Sequence, residues 1–310
     1  MAKFMVTGGA GFIGSHITEL LISEGHEVVV YDNFSTGRES NIEPFKDRIS
    51  VVRGDIRDSS ALDGAMAGVN YVIHHAAEIS AIKSVEDPIY ADEVNVVGTL
   101  NVLRSARDNG VKRLVLASSS AIYGDTGSDP QSELNLPKPL SPYGASKICG
   151  EHYCTVFNEI YGLETVCLRY FNVFGPRQNP KSQYAAVIPI FVDRILAGKE
   201  LHIYGDGEQT RDFVFVKDVA RANLMACLHE NAAGQVFNIA GGRSVTINEL
   251  AEILMDAAGN RVPVIHDAAK LGDIKYSSSR TEKAREVLGF SPQVSLEDGL
   301  KQVVAYLSGA

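Results

Sequence analysis

Residues Lys3–Gly25 read KFMVTGGAGFIGSHITELLISEG, and this stretch decides the fold. The first five residues are a short apolar run of strand character. Glycines at 8, 9, 11 and 14 interrupt it, and from Phe12 apolar residues recur at helical spacing until Gly25. A strand, a glycine turn and a helix, with Gly9-x-Gly11-x-x-Gly14 at the junction, form a dinucleotide-binding fingerprint. Gly8 and Gly9 permit the tight turn, Gly11 lets backbone approach a pyrophosphate, and Gly14 allows close helix packing. The free N–H groups of the helix's first turn then face the phosphate anion. The next strand, EVVVYD (Glu27–Asp32), ends on an acid 18 residues after Gly14. A carboxylate there accepts hydrogen bonds from both ribose hydroxyls and repels a 2′-phosphate, which favours NAD over NADP. Arg38 is the nearby cation that such a phosphate would need.

Working outward, ISVVRGD, YVIHHAA and RLVLASSS each read as a strand running into a polar or small-residue turn. Helical patterns separate most of them, among them VNVVGTLNVLRSARDNG (Val94–Gly110). Strands alternating with helices imply βαβ units, and therefore a Rossmann-type, doubly wound parallel sheet. Ligands in such sheets bind at the carboxyl ends of strands, where Gly8, Asp32, Asp55, His75 and Ser119 fall. After residue 170 the pattern loosens. LHIYGDGEQTRDFVFV reads as two short strands around a Gly-Asp-Gly turn, and helical stretches follow at Val219–His229, Ile247–Ala258, Thr281–Leu288 and Leu296–Leu307. The expected organisation is an NAD-binding unit over residues 1–170 and a smaller, interleaved α/β substrate subdomain over 171–310, with no free linker.

Composition removes several function classes. The chain has 310 residues, a 45% hydrophobic fraction and a formal net charge of −9, without any block of Lys and Arg. It has a sizeable core and no nucleic-acid footprint. No apolar run approaches the roughly 20 residues of a membrane span. The N-terminus enters a strand at once, so no signal peptide and a cytoplasmic location are expected. Cys149, Cys154, Cys167 and Cys227 lack CxxC spacing and suit a reducing compartment. The histidines show no ligand spacing, so no metal site is expected.

The chemical end is SPYGASK (Ser141–Lys147), which places Tyr143 one helical turn before Lys147. A neighbouring ammonium stabilises phenolate, so the Tyr143 pKa is expected to fall from about 10 towards the working pH. Ser118, Ser119 and Ser120 follow a strand and can bond a substrate hydroxyl. Behind a dinucleotide fingerprint, Ser, Tyr and Lys together form a hydroxyl-oxidising site.

With these residues in place, the chain resembles the extended short-chain dehydrogenases/reductases, and among them the UDP-hexose 4-epimerases. The resemblance runs over essentially the whole length through TGGAGFIGS, HHAA, NVVGTLNVL, SSSAIYG, SPYGASK, LRYFNVFGPRQ and GDGEQTRDFVFVKDVA. It implies a catalytic set of Ser119, Tyr143 as base and Lys147 as its partner. It implies tightly bound NAD, held by Gly8, Gly11, Phe12, Ile13 and Gly14 at the phosphates and by Asp32, Asn33, Asp55 and Ile56 towards the adenosine. Ala76, Ala77, Asn95, Ser118, Tyr143, Lys147 and Tyr170 complete that implied cofactor set. For a UDP-sugar it implies Ser80, Ser119, Ser120, Asn172, Gln178, Val187, Arg211, Lys270, Asp273 and Ser277, with Phe171 beside the nicotinamide. Lys270 stands where the family usually has Arg, so it offers a point charge without the bidentate fork. The family usually dimerises through a helix bundle, for which Val94–Asn109 and Tyr143–Tyr161 are the candidates here.

Family membership leaves the reaction open. The relatives that dehydrate or decarboxylate carry an acid in the turn before YG. Here that turn is Ser119-Ser120-Ala121-Ile122, which favours 4-epimerisation. The segment Arg177–Phe191 is similar to the substrate loop of epimerases that accept N-acetylated UDP-sugars, and a serine at 277 leaves room for an acetamide. The expected interconversions are UDP-glucose with UDP-galactose and UDP-N-acetylglucosamine with UDP-N-acetylgalactosamine. The alternatives are a UDP-glucuronate 4-epimerase, another sugar-nucleotide reductase, or a non-catalytic cofactor-binding protein.

Overall fold

The computed structural model describes residues 1–180, 186–269 and 274–309. In chain order its strands are β1 (Lys3–Thr7), β2 (Glu27–Asp32), β3 (Ser50–Arg53), β4 (Tyr71–His74), β5 (Arg113–Ser119), β6 (Glu164–Tyr170), β7 (Asn172–Phe174), β8 (Leu201–Tyr204), β9 (Thr210–Phe215), β10 (Gln235–Ile239), β11 (Ser244–Thr246) and β12 (Val264–Asp267). Seven of them form the main sheet in the order β10-β6-β5-β4-β1-β2-β3, with every neighbouring pair parallel. This is the Rossmann-type α/β fold read from the sequence. The strand order reverses between β1 and β4, and such a switch point opens a crevice at the carboxyl ends.

The sheet is buried on both faces, so its strands read as continuous apolar runs. In β1, Phe4 and Val6 point into one core while Met5 points into the other. The first core packs under the helices Phe12–Ser23 and Val216–Leu228, and the second under Ser59–Met66, Gly98–Asp108 and Pro142–Tyr161. A third core, with Phe174, Phe191, Phe215, Leu250, Leu254 and Leu300, lies among the β7–β9–β11 sheet, the β8–β12 pair and the helices Val187–Leu196, Ile247–Ala258 and Leu296–Ser308. The helix Ile247–Ala258 opens with a reciprocal capping box of Thr246 and Glu249 and stops at Gly259 in the left-handed conformation.

Two helix starts are corrected, and one reading is extended. The two strands around Gly-Asp-Gly exist as read, and they do not pair with each other. β8 runs parallel to β12, while β9 lies between β7 and β11, because each finds its partner in a distant segment. The helix expected from Val94 begins earlier, as Pro88–Asp92, and passes through a π-helical turn at Glu93–Val97 before Gly98–Asp108. The helix expected from Val219 begins at Val216.

Candidate active site

The glycine loop fits a dinucleotide on the backbone's own evidence. Gly8 has φ +69°, and a Cβ there would lie 2.8 Å from the Ala76 nitrogen, so only glycine brings β1 this close to the end of β4. The helix Phe12–Ser23 has Gly11 at its N-cap and no side-chain cap, which leaves first-turn N–H groups available to an anion. At the end of β2, Asp32 Oδ2 accepts from Ala10 N at 2.9 Å and Oδ1 from Phe34 N at 2.8 Å. Burial pushes this carboxyl up and the two backbone donors pull it back. A carboxylate has about four acceptor sites, so lone pairs remain for ribose hydroxyls.

One continuous cleft runs from Gly8, Gly11, Phe12, Ile13 and Gly14 past Asp32, Asn33, Asp55 and Ile56. It continues along Ala76, Ala77 and Ser118 to Tyr143, Lys147 and Tyr170. Asp55 is committed to Arg57, at 2.9 and 3.0 Å, and also accepts from Asn33 Nδ2 at 3.0 Å. The Arg57 contact holds its carboxyl down at about 2. Asn95 does not line the cleft. It braces the wall from behind, with Oδ1 accepting from Glu78 N at 2.8 Å and Nδ2 donating to Glu78 O at 2.9 Å and to Ser146 Oγ at 3.0 Å. Its position in the π-helical turn sets that reach.

His74 and His75 are held neutral. Burial, reinforced by the Lys147 charge, pushes both down to about 3. His74 Nδ1 pairs with Thr7 Oγ1 at 2.7 Å and Nε2 with Thr99 Oγ1 at 3.0 Å. His75 stacks on Tyr170 and meets its hydroxyl at 3.1 Å, while that hydroxyl donates to Asn223 Oδ1 at 2.9 Å. Among the described residues no three His, Cys, Asp or Glu side chains cluster as metal ligands. Among them, too, no helix is long and apolar enough to cross a membrane.

The helix Pro142–Tyr161 carries the chemical residues. Ser141 caps it by accepting from Gly144 N at 3.2 Å, and Pro142 opens its first turn. A Cβ on Gly144 would lie 2.7 Å from Ala121 O, so glycine lets the helix press against the turn that follows Ser119. Tyr143 N donates to Ser84 Oγ at 3.0 Å, a support not foreseen in the sequence. The Ser119 hydroxyl accepts from Ala121 N at 3.1 Å and lies close enough to the Tyr143 phenol to lower its pKa. Tyr143 and Lys147 line the end of the cleft, and Ser119 follows its lining residue Ser118 on β5.

One electrostatic expectation is reversed. Burial raises the Tyr143 pKa above its ordinary value, and the Ser119 hydroxyl offsets only part of this. The Lys147 ammonium lies over the Tyr143 ring and makes no hydrogen bond to the phenol oxygen. Its Nζ donates to Ala117 O at 3.0 Å and lies 5.8 Å from the Tyr143 ring centre. Burial pushes Lys147 down to about 8, against the pull of the Glu151 carboxylate. Sequence spacing shows the pair but not its desolvation.

The residues expected to meet a sugar nucleotide lie beyond this cleft's lining. Ser80 caps the helix Ala81–Glu86 by accepting from Lys83 N at 3.1 Å. Ser120 opens the short 3-10 turn Ser120–Ile122. Asn172 Nδ2 donates to Asp212 O at 2.9 Å, and Arg211 Nη1 donates to Thr210 O and Ile274 O, each at 2.8 Å. Gln178 Nε2 reaches Val173 O at 3.4 Å, whereas its Oε1 is buried with no partner among the described residues. Val187 starts the helix Val187–Leu196, and Ser277 is buried with its carbonyl accepting from Ser244 Oγ at 3.2 Å. Lys270 and Asp273 lie outside the described residues. The cleft also holds a carboxylate that the sequence reading passed over. Glu78 accepts from Ser80 N at 3.0 Å and lies 3.7 Å from Lys83 Nζ.

Comparison with known proteins places this geometry. Residues 4–240 match the model of the NAD dependent epimerase/dehydratase family. The chain is 43% identical over 306 residues to a putative UDP-glucose 4-epimerase of Methanocaldococcus jannaschii, covering 98% of this chain and 97% of the relative. It is similar to the crystal structure of a UDP-glucose 4-epimerase with UDP-glucose from Thermotoga maritima, with TM-score 0.94, 40% identity and 99% of each chain covered. It is similar as well to a UDP-N-acetylglucosamine 4-epimerase from Methanobrevibacter ruminantium in complex with UDP-N-acetylmuramic acid. There the TM-score is 0.95 and the identity 38%, over 99% of this chain and 98% of the other.

Proposed function

We propose, from the premise that this chain belongs to the NAD-dependent epimerase/dehydratase family, that it inverts C4 of a UDP-hexose through a transient 4-keto sugar. The observation that carries this reading is Tyr143 and Lys147 at the end of a cleft that begins on the glycine loop, with Ser119 beside the Tyr143 phenol. NAD held along that cleft supplies the hydride acceptor and donor for C4. The chain's own part is to position the sugar and to move one proton. Tyr143 Oη takes the C4 hydroxyl proton and later returns it, Ser119 Oγ bonds the same oxygen, and Lys147 is the cation 5.8 Å from the phenol ring centre on the same helix face. Inversion then needs the keto sugar to turn so that its other face meets the same residues.

The turn Ser120–Ile122 carries no carboxylate, and Glu78 is engaged by Ser80 and Lys83, so neither offers a free acid or base for C5 or C6. This supports epimerisation over dehydration or decarboxylation. The small buried Ser277 supports room for an N-acetyl group, so both UDP-glucose/UDP-galactose and UDP-N-acetylglucosamine/UDP-N-acetylgalactosamine belong to the proposed substrate range, ahead of UDP-glucuronate. The proposed division places the cofactor on residues 1–170 and the UDP-sugar mainly on 171–310. Exposed Val97, Val156, Ile160 and Tyr161 on the helices near the second core form an apolar face suited to a homodimer bundle. Four free cysteines, three of them buried, suit a cytoplasmic protein. The test is turnover of each UDP-sugar followed by NMR, and no conversion of any of them overturns the proposal.

A further inference from the structure

Tyr143, Lys147 and Glu151 follow one another at intervals of four, so they line one face of the same helix. Glu151 is buried, and the sheet meets it with two side chains. Ser118 on β5 and Arg169 on β6 are register partners. Ser118 Oγ donates to Glu151 Oε1. Arg169 clamps the carboxylate through Nε to Oε1 at 2.9 Å and Nη2 to Oε2 at 2.7 Å. Arg169 Nη1 donates to the Tyr123 hydroxyl at 2.8 Å, which donates to Asn238 Oδ1 at 2.6 Å. Three charged groups, Lys147, Glu151 and Arg169, are thus enclosed behind the cleft.

We infer that Glu151 is a positioning residue for the reaction: clamped by Arg169 and Ser118, its carboxylate supplies the counter-charge that keeps the buried Lys147 ammonium charged and seated on the Ala117 carbonyl. This rests on the reading of Tyr143 and Lys147 as the proton-moving pair. Among the described residues Glu151 is the carboxylate that acts on Lys147. The remaining groups facing this cluster are neutral or more remote. His74 and His75 at the end of β4 are uncharged at neutral pH. Cys154 on the helix and Cys167 on β6 are free and buried, and neighbouring Cys154 together with burial pushes the Cys167 thiol up. Tyr123 is a phenol, and Glu133 and Lys283 act on the far side, at Tyr123 and Arg169. Removing the Glu151 charge therefore leaves Lys147 facing an unpaired Arg169. A buried ion pair that only ties helix to sheet would also lose stability on such a change, but it would not retune Lys147.

The test is the titration of the Lys147 side chain, followed by NMR of 13C-lysine-labelled protein and assigned with Lys147→Arg, alongside the pH profile of turnover. In Glu151→Gln the Lys147 midpoint should move to lower pH by about one unit or more, and the alkaline limb of turnover should move with it. Glu151→Asp, which keeps the charge, should hold the limb near its wild-type position even where the rate falls. Should Glu151→Gln fail to fold, Glu151→Gln/Arg169→Gln, which strands no charge, should show a smaller shift in the same direction. An unmoved midpoint in whichever of the two charge-removing variants folds, or a rate loss in it that is equal at every pH, overturns the inference. The midpoint is read without sugar, so a protein that converts no UDP-sugar overturns the proposed function and leaves this test standing.

Discussion

Replacing Tyr143 by Phe removes one oxygen from the site and little else. The backbone bond from residue 143 to Ser84 Oγ is untouched, and the helix cap at Ser141 does not involve the side chain. The structural cost is at most the phenol's interaction with Ser119, about 1 kcal/mol were it a full hydrogen bond. For a chain of this length that lowers Tm by only about 1–4 °C. The chemical cost is the proton acceptor, worth about 10²- to 10⁴-fold in turnover, or about 2.7–5.4 kcal/mol of barrier. The two effects separate in one preparation: UDP-galactose conversion is followed by NMR, unfolding by calorimetry, and NAD content by release on denaturation. The expected variant melts close to wild type, retains its cofactor and loses at least a hundredfold in rate. A rate within a fewfold of wild type would refute Tyr143 as the base, however the protein melts.

Because Lys147 is held at about 8, its charge is present below that pH and lost above it, so turnover should fall on an alkaline limb near pH 8; a flat profile to pH 10 would contradict this. His16, His74 and His75 are pushed by burial to about 4, 3 and 3, so between those values and 6.5 the unfolded chain binds more protons than the folded one. Stability should therefore be full above about pH 6.5 and decline as pH falls through that window, and a Tm unchanged from pH 7 to pH 4.5 would oppose it. Ser277→Tyr should depress turnover of N-acetylated UDP-sugars about tenfold more than of plain hexoses, whereas equal losses would remove Ser277 as a gate. Ile160→Glu, at a side chain 72% exposed, should give a monomer by light scattering with little change in fold; an unchanged dimer would place the contact elsewhere.

What was legible in the sequence was local. The glycine turn, the helix start at Phe12 and Asp32 at the end of β2 are set by residues within one βαβ unit, and all three stand where the pattern placed them. The SPYGASK stretch was equally readable, because cap, proline and turn spacing are short-range properties. Partner choice was not. β8 and β9 each resemble half of a hairpin, yet their partners β12 and β7 come from distant segments. The π-helical turn that aims Asn95 leaves no mark in apolar periodicity. Glu151, two turns after Tyr143, was passed over in the sequence, because its meaning depends on Arg169, which arrives through the β5–β6 register. The raised Tyr143 pKa has the same origin, since burial is a property of the assembled fold.

The central claim is that this cleft oxidises and re-reduces C4 of a UDP-sugar with NAD that travels with the protein. Its most direct test is NMR of the purified chain with no added cofactor, offered UDP-galactose and UDP-N-acetylgalactosamine separately. The account predicts new anomeric signals of the 4-epimer from at least one of the two. Unchanged spectra for both, persisting after NAD is added, would contradict it.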